Sequence, residues 1–391
     1  MTILGLVASL LLSCAGCFFT YHAILEYIPI FVQRKMCGKD QCKAISKPIP
    51  EPIGVISAAV YLVVMSPFQL NEMLSFMSAL IAICSTILLG FADDVLDLRW
   101  RHKLLFPTLS SLPLLLVYYA TGSSTAVALP KQVRLFYVFE TLDIGPLYYI
   151  YMGMMVVFCT NAINILAGIN GLEAGQAFVI AISVAIFNII QLIRLEPPDW
   201  YHYLSLYILL PFIATTGVLL YFNWYPAEVF VGDTFCYWAG MTLASSCILG
   251  HFSKTMALFL LPQVFNFLYS TPQLFHLVPC PRHRLPKFNA DTNMVGMSFA
   301  EFNDKDLKPL GAVILRVFET CGLLYRETYE KDGERWTRIN NLTLINLWLK
   351  LFGAMHERQL TIRLLALQML CSSFAFFIRF FMANLVYDIV R

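Results

Sequence analysis

Residues 74–92 read LSFMSALIAICSTILLGFA, a run of 19 residues without a charged side chain, and Asp93 and Asp94 follow it directly. A helix of about 20 apolar residues crosses the roughly 30 Å hydrocarbon core of a bilayer. A strand of a membrane barrel would instead alternate apolar and polar residues, and this run does not. The stretch therefore predicts a membrane-spanning helix that ends in two carboxylates.

The composition of the whole chain agrees with a membrane protein. Of its 391 residues, 58% are hydrophobic and 13% are charged, whereas about 25% of the residues in a soluble domain are charged. So few charges cannot cover a water-facing surface of this size. A net charge of +2 also gives no excess of cations for nucleic acid. We expect an all-α polytopic membrane protein in contact with the lipid bilayer, without a nucleic-acid partner.

Apolar runs predict about ten transmembrane helices. Their approximate ranges are 4–32, 53–70, 74–92, 104–120, 146–166, 174–194, 203–221, 234–250, 255–275 and 362–387. Loops after odd-numbered spans contain twenty Lys and Arg residues, and loops after even-numbered spans contain four. Because positive charge is retained on the cytosolic side, we expect the odd loops in the cytosol and both termini on the opposite side.

The longest loop divides the chain into three parts. We expect a transmembrane catalytic bundle over 1–275, a cytosolic loop over 276–360 and a last span within 361–391. In the loop, segments 307–325 and 341–353 have an amphipathic pattern, and 327–338 is charged and typical of a hairpin. The loop is therefore predicted to be a small mixed subdomain.

The first motif with chemical potential is GFADDVLDLRWRHK at 90–103. It combines Asp93 and Asp94 with a third acid, Asp97, and with the cation Lys103. Carboxylates that bind a divalent cation, beside a basic group, suit a phosphorylated ligand. A charged turn at the end of a span is the simpler alternative.

The second motif, FCTNAINILAGINGLEAG at 158–175, closes an apolar span with amides and glycines. Asn161 and Asn164 share one face of a helix, and glycines allow the backbone to approach an anion closely. Buried amide side chains need polar partners, which favours a ligand site over a polar helix terminus with a turn.

Two further motifs contain an acid and a basic cluster. In WYPAEVFVGDTF at 224–235, Asp233 is suited to a magnesium shell and Phe230 to stacking on a base, although aromatic residues also line membrane interfaces. In CPRHRLP at 280–286, Arg282, His283 and Arg284 form a cationic clamp for phosphate or sugar oxygens. Binding of lipid headgroups is the alternative for this basic turn.

Together the four motifs resemble, in order, those of the polyprenyl-phosphate N-acetylhexosamine-1-phosphate transferases. The matching residues are Asp93-Asp94, the run 161–175, VFVGD at 229–233 and PRHR at 281–284. Bacterial cell-wall members have a histidine-rich last motif, so the arginines indicate the eukaryotic branch. The resemblance implies transfer of GlcNAc-1-phosphate from UDP-GlcNAc to dolichyl phosphate with Mg²⁺ as cofactor. It also implies inhibition by tunicamycin, a ten-span bundle, a homodimer and an endoplasmic reticulum membrane location.

The resemblance further implies roles for individual residues. The expected catalytic residues are Asp93, Asp94 and Lys103, and the expected magnesium ligands are Asn164 and Asp233. The expected UDP-GlcNAc contacts are Lys39, Asp40, Gln41, Glu51, Asn170, Phe230, Arg282, His283 and Arg284. The expected dolichyl-phosphate contacts are Lys103, Val157, Phe158, Cys159, Thr160, Asn161, Ala162, Ile163, Asn164 and Ile165.

Two positions depart from the family pattern, and two other functions stay open. Asn is expected where Asp97 stands, and an apolar residue where Gln41 stands. The spacing of Asp93, Asp94 and Asp97 also suits a membrane prenyltransferase, although such enzymes normally have a second aspartate-rich segment. A transporter for a nucleotide sugar or lipid phosphate would normally show repeated halves and polar residues at mid-depth.

Overall fold

The computed structural model describes residues 3–43, 47–65, 73–129, 131, 141–195, 197–331 and 333–387. The main helices are α1 (Ile3–Gln33), α2 (Gly54–Val64), α3 (Met73–Leu96), α4 (Trp100–Ala120), α5 (Pro146–Ile165), α6 (Leu172–Arg194), α7 (Trp200–Asn223), α8 (Gly232–Leu249), α9 (Ser253–Phe259), α10 (Leu261–Leu274), α11 (Pro309–Thr320), α12 (Leu344–Phe352), α13 (Glu357–Phe377) and α14 (Ala383–Val386). The strands are β1 (Cys37–Lys39), β2 (Pro48–Pro50), β3 (Ala126–Ala128), β4 (Thr141–Asp143), β5 (Lys287–Asn289), β6 (Met294–Gly296), β7 (Phe299–Asn303), β8 (Arg326–Lys331) and β9 (Glu334–Asn340).

Within the described residues, seven helices are long and apolar enough to cross a membrane. They are Leu4–Gln33, Met73–Leu96, Arg101–Ala120, Pro146–Ile165, Leu172–Arg194, Trp200–Asn223 and Glu357–Met382. Each corresponds to a predicted span, and many of their large apolar side chains are exposed, as lipid contact requires. The chain is a largely helical, multi-pass membrane protein.

The other three predicted spans, 53–70, 234–250 and 255–275, do not meet the same measure of length and apolarity. Helix α2 has 11 residues, and the described residues stop at 65 before resuming at 73. Helix α8 has 18 residues, is rich in Ser and Thr, and is surrounded by protein along its length. The last run is divided at Leu260, because a new helix begins there with Pro262 in its first turn.

Helix α8 lies at the centre of the bundle, packed against α3, α5 and α7. Its close crossing with α5 depends on Gly240, since a Cβ atom at this position would overlap the carbonyl oxygen of Cys159 and the Cα atom of Thr160. Small residues permit this kind of close backbone approach between helices. The crossing fixes the N-terminus of α8 beside the ends of α3 and α5.

Segment 276–360 contains helices and antiparallel strands, with the sheet order β7-β9-β8. The predicted hairpin is β8–β9, in which Arg326 lies opposite Ile339. Part of the segment packs around Leu315 and Ile339 together with Tyr269 of α10. Another part shares a core with α6 and α13. The segment is therefore attached to the bundle through two common cores.

Replacing Gly240 by Ala should reduce stability, because the added methyl group has no space between α5 and α8. Overpacking of this kind costs about 1–3 kcal/mol. Gly153→Ala in α5 is the matched control, since its Cβ would meet only Leu115, at 3.9 Å. Thermal unfolding of both purified variants in detergent is the measurement. Equal unfolding temperatures would contradict the close crossing.

Candidate active site

The N-terminus of α8 is held by Asp94 of α3. The Oδ1 atom of Asp94 accepts the backbone N–H of Asp233 at 2.7 Å, and its Oδ2 atom accepts the N–H of Thr234 at 2.9 Å and the Thr234 hydroxyl. The first N–H groups of a helix lack partners within the helix and favour an anion. Both oxygens of Asp94 therefore fix the position of Asp233.

A glycine makes this contact possible. Gly232 has φ +75°, in the left-handed region that favours glycine. A Cβ atom here would overlap Pro52 and lie 2.9 Å from the Asp94 carboxylate. The Gly232-Asp233 pair in the third motif is thus a structural requirement of the helix start as well as a source of a carboxylate.

Asp233 is the centre of a polar cluster contributed by four helices. Lys103 Nζ of α4 lies 2.9 Å from Asp93 Oδ2 and 3.2 Å from Asp233 Oδ2. The Asn164 amide of α5 donates to Asp233 Oδ1 at 2.6 Å. The structure therefore brings together all five residues expected to be catalytic or metal-binding, although they are up to 140 positions apart in the chain.

Asp97 has a different role from the other two acids of its motif. It is exposed, its φ is +48°, and its N–H donates to the Asp93 carbonyl oxygen at 2.9 Å. Asn and Asp are the non-glycine residues that best tolerate this conformation. Asp97 therefore follows the end of α3 in a conformation that the expected Asn would adopt equally well.

A polar cavity of about 380 Å³ adjoins Asp233. Its lining includes the predicted residues Lys39, Asp40, Gln41, Glu51, Asn170, Phe230, Asn164 and Asp233. Gly38 lets the Phe230 ring and the Glu51 carboxylate approach, since a Cβ atom would lie 2.9 Å and 2.5 Å from them. Burial, together with the negative charges of Asp94 and Asp233, raises the pKa of Glu51 to about 7. The site holds enough negative charge to attract a cation.

Asn170 is fixed by a buried network that sequence reasoning missed. Its amide nitrogen donates to Asp40 Oδ2 at 2.9 Å and to Glu357 Oε1 at 2.8 Å, and its backbone N–H also donates to Glu357 Oε1 at 2.8 Å. Its amide oxygen accepts the Ala227 N–H at 3.2 Å. Because the side chain is committed to the protein, its evident role is to hold the glycine-rich turn.

Lys43 is the cation that pairs with both acids of this network. Its Nζ atom lies 2.7 Å from Glu357 and 3.2 Å from Asp40, and it sits over the Tyr225 ring, 3.9 Å from its centroid. Cys42 lies with the two acids in an arrangement that metal ligands can adopt, but Lys43 already pairs with both carboxylates and offsets one of their two negative charges. Glu357 lies just before the last apolar run, far in sequence from any of the four motifs. A charged residue next to a span was the only feature of the sequence that could have indicated its role.

A second, larger cavity of about 1140 Å³ lies mainly between α4 and α5. Apolar side chains such as Leu112, Ile150 and Phe158 line its length, while Lys103 and Asn161 lie at its polar end. The Asn161 amide donates to the Val157 and Lys103 carbonyl oxygens at 2.9 and 3.4 Å. The shape and lining suit a lipid whose charged end lies near Lys103.

The predicted lipid-binding run divides between two faces of α5. The members that line the larger cavity are Val157, Phe158, Asn161, Asn164 and Ile165. The members buried in the bundle core are Cys159, Thr160, Ala162 and Ile163. With 3.6 residues per turn, a helix presents only one side to a groove, and the other side packs against α8. The expected lipid contacts of the core members are therefore not supported.

The predicted arginine clamp lines the larger cavity, not the smaller one. Arg282, His283 and Arg284 precede Leu285, which borders both cavities. The carbonyl oxygen of Arg284 accepts the Asn346 amide at 3.0 Å, which anchors the turn to α12. The clamp therefore stands on the lipid side, next to the junction of the two cavities.

The guanidinium of Arg284 lacks a complete set of partners. Its Nη1 atom is buried and has no hydrogen-bond acceptor among the described residues, and burial lowers the pKa of the group. A buried cation without a counter-charge is unfavourable. This arginine is placed to receive an anion at the junction.

Comparison with known proteins agrees with this geometry. The sequence model of glycosyl transferase family 4 matches residues 76–251. UDP-N-acetylglucosamine–dolichyl-phosphate N-acetylglucosaminephosphotransferase of Schizosaccharomyces pombe is 41% identical over 94% of this chain and 91% of its own. Proteins of that name from Saccharomyces cerevisiae (39% identical, 93% and 89% covered) and Dictyostelium discoideum (42% identical, 92% and 86% covered) are similar too. The chain belongs to this transferase family.

Membership favours the transferase over the two rival functions, a prenyltransferase and a transporter, because the similar proteins are named as phosphotransferases. The matched range 76–251 contains Asp93, Asp94, Lys103, Asn164 and Asp233. The arginine clamp lies outside that range, as do Asp40, Lys43 and Glu357, the charged residues of the network around Asn170.

Replacing Glu357 by Ala should destabilise the protein, because Lys43 would lose a counter-charge and the Asn170 N–H its acceptor. Breaking a buried ion pair from one side costs about 3–5 kcal/mol. Glu357→Gln keeps an acceptor and should cost less. Chemical unfolding in detergent, with the exposed Glu228→Ala as control, measures the difference. Equal stabilities for Glu357→Ala and Glu228→Ala would show that the network contributes little.

Proposed function

We propose that the protein transfers GlcNAc-1-phosphate from UDP-GlcNAc to dolichyl phosphate, giving GlcNAc-diphosphodolichol and UMP. This is the activity in the names of its relatives. The observation that carries the proposal is the meeting of a polar cavity and an apolar one. They share Asn164, Ala167, Gly168, Glu173 and Leu285, so a soluble nucleotide sugar and a membrane lipid have separate approaches to one point.

We assign Mg²⁺ to this junction, with Asp233 and Asn164 as its protein ligands. Carboxylate and amide oxygens are suitable donors for this ion. The pKa of Glu51 is raised by burial and, in addition, by the negative charges of Asp94 and Asp233, and these charges fit a cation. A rotation of the Asn164 amide presents its oxygen to the ion, since the two amide atoms are assigned from their hydrogen bonds. Bound Mg²⁺ would neutralise phosphate oxygens and polarise the phosphorus.

The nucleophile in this reaction needs little activation. The second pKa of a phosphate monoester is about 6, so a dolichyl-phosphate oxygen is largely ionised at neutral pH. That oxygen forms a bond to the β-phosphorus of UDP-GlcNAc, the bond from this phosphorus to the oxygen bridging it to the α-phosphorus breaks, and UMP leaves with the electron pair. A general base is therefore not required.

The larger problem is repulsion between two anionic substrates, and the protein's own side chains address it. Lys103 is placed at the polar end of the lipid cavity, and Arg284 at the junction. Asp93 orients Lys103 through their 2.9 Å ion pair, and Asp94 holds Asp233 in place. We interpret both aspartates as positioning groups. Fixed charges of this kind supply most of the catalysis in phosphoryl-type transfer.

The proposed setting is a multi-pass protein of the endoplasmic reticulum membrane. Ten spans are retained, with 53–70, 234–250 and 255–275 as short or enclosed members of the bundle. The excess of Lys and Arg in the odd loops supports a cytosolic site, a cytosolic segment over 276–360 and lumenal termini. A homodimer, and the division of the chain at 275 and 360, belong to the same proposal.

The direct test uses membranes that contain the full-length protein, radiolabelled UDP-GlcNAc, dolichyl phosphate and Mg²⁺. We expect organic-soluble label and an equal amount of UMP, both lost with EDTA or tunicamycin and restored by added Mg²⁺. UDP-GalNAc serves as the competing donor. Label trapped inside vesicles without UMP release would contradict the transferase, and activity that survives EDTA would contradict the metal.

Arg284→Ala and Arg282→Ala should each raise the apparent KM for UDP-GlcNAc while the protein remains folded. A hydrogen bond to a charged group contributes about 1.5–3 kcal/mol, which corresponds to roughly a tenfold to hundredfold effect. The exposed Arg358→Ala is the control for loss of a cation elsewhere. Because the clamp lines the lipid cavity, a rise in the KM for dolichyl phosphate alone would reassign it to the other substrate.

Filling the apolar cavity should affect only the lipid substrate. Ile150→Trp adds volume to the wall of this cavity, so the KM for dolichyl phosphate should rise several-fold, with that for UDP-GlcNAc unchanged. Ile193→Trp adds the same ring to an exposed apolar position on α6 and should change neither. Steady-state kinetics with each substrate varied in turn makes the comparison. An equal effect of both variants would remove the cavity as the lipid site.

A further inference from the structure

Helix α11 carries an exposed apolar stripe that the transfer reaction does not use. Leu310, Val313 and Val317 recur at the spacing of one helix face and are 57%, 57% and 52% exposed. Gly311 and Leu315, on the neighbouring face, are buried against the rest of segment 276–360. The helix therefore has an inner apolar face that is covered by protein and an outer one that is not.

The level of α11 along the bundle follows from the helix that precedes it. In α10, the Asn266 amide donates to the carbonyl oxygen of Ile165, the last residue of the membrane-crossing helix α5, at 3.2 Å. One residue on, the Phe267 ring lies 6.0 Å from that of Phe158. Helix α10 therefore rises beside the end of a transmembrane helix.

The start of α11 is fixed directly beyond this point. Gly311 packs so closely on the Leu277 carbonyl oxygen that a Cβ atom would overlap it, and Leu277 follows α10 by three residues. The start of α11 is thus held next to the end of α10, on the side of the bundle where α5 ends.

The stripe also continues an apolar surface that begins on α10. Leu268 and Phe275 of that helix are exposed, and the Tyr269 ring lies between Phe265, at 6.0 Å, and Phe318 of α11, at 5.2 Å. Phe275 also lines the larger cavity. Exposed apolar side chains of α10 and the outer stripe of α11 therefore lie on neighbouring helices that are joined through the Tyr269 ring, beside the larger cavity.

The charges next to the stripe suit phospholipid headgroups. Arg316 is exposed beside the apolar face and Lys308 is exposed directly before the first residue of the helix, and the acid Glu319 is 3.5 Å from Arg326. Helices that lie in the headgroup layer typically combine a large apolar face with Lys and Arg. Each such cation adds about 1 kcal/mol near an anionic leaflet.

We propose that α11 lies in the headgroup layer of the bilayer, with Leu310, Val313 and Val317 inserted between phospholipids. Segment 276–360 would then be tied to the membrane at a third place, in addition to its two shared cores with the bundle. Because the helix adjoins Phe275, this contact also fixes one border of the groove in the plane of the membrane. The proposal depends on the membrane spans and not on the identity of the substrates.

The test places a photoreactive benzoylphenylalanine at Val313 of the full-length protein in nanodiscs of phosphatidylcholine and phosphatidylserine. After irradiation, the intact mass should rise by that of one phospholipid. The matched position Glu319, exposed on the opposite side of the same helix, should give no lipid adduct. If the Val313 variant fails to fold, judged by thermal unfolding, Leu310 provides a second position on the stripe.

Two outcomes would overturn the proposal. An adduct with the mass of a second chain would make the stripe an interface between copies of this protein. An unchanged mass at Val313 and Leu310 in folded protein would show that the stripe faces water. Neither result would affect the transferase assay, so failure of this proposal is distinguishable from failure of the proposed activity.

Discussion

The start of a buried helix is the constraint on which the site depends. Helix α8 is buried from Thr234 onward, so the N–H groups of its first turn need partners within the protein. Asp94 of another helix satisfies two of them and thereby fixes Asp233. The position of the Asp233 carboxylate consequently depends on how α3 and α8 pack together. The close crossing of α8 with α5 at Gly240 holds α8 in place against another helix. Preorganisation of charge follows from the fold itself.

Charge balance explains why so many ionisable groups are tolerated near a bilayer. Asp93, Asp94 and Asp233 converge with Glu51, while Lys103 is the cation paired with two of them. Helix N–H groups stabilise Asp94, but four acids with one lysine leave an excess of negative charge. Burial, together with the charges of Asp94 and Asp233, raises the pKa of Glu51. Across the junction, Arg284 has the opposite imbalance, a buried cation with an incomplete shell. A divalent cation beside Asp233 would offset the excess negative charge, and a phosphate beside Arg284 would offset the buried positive charge.

The sequence was sufficient to predict the class of fold and the centre of the site, because both are encoded locally. Seven apolar runs became long apolar helices, and the motif acids, Lys103 and Asn164 meet in space. The predicted span 234–250 corresponds to α8, which is less apolar than the seven long helices. A helix that is enclosed by protein does not need a continuous apolar surface. Only part of the predicted lipid-binding run lines the larger cavity, since a continuous range of residues includes both sides of α5 and only one side faces the cavity. Glu357 could not be identified from the sequence because its partners, Lys43 and Asn170, are 314 and 187 positions away, and no local pattern records such a pairing.

The two cavities share one structural element, the turn that follows α5. The apolar cavity is built from α4 and α5, and the polar one from the β1–β2 loop, the turn after α5 and the residues before α8. Both reach the turn at 164–168, which Glu173 holds through the Gly168 N–H at 2.9 Å and Glu357 through Asn170. A shift of this turn would move the walls of both cavities at once. The buried carboxylates that hold it therefore govern the distance between the two substrates, which is the quantity that a transfer between lipid and nucleotide most depends on.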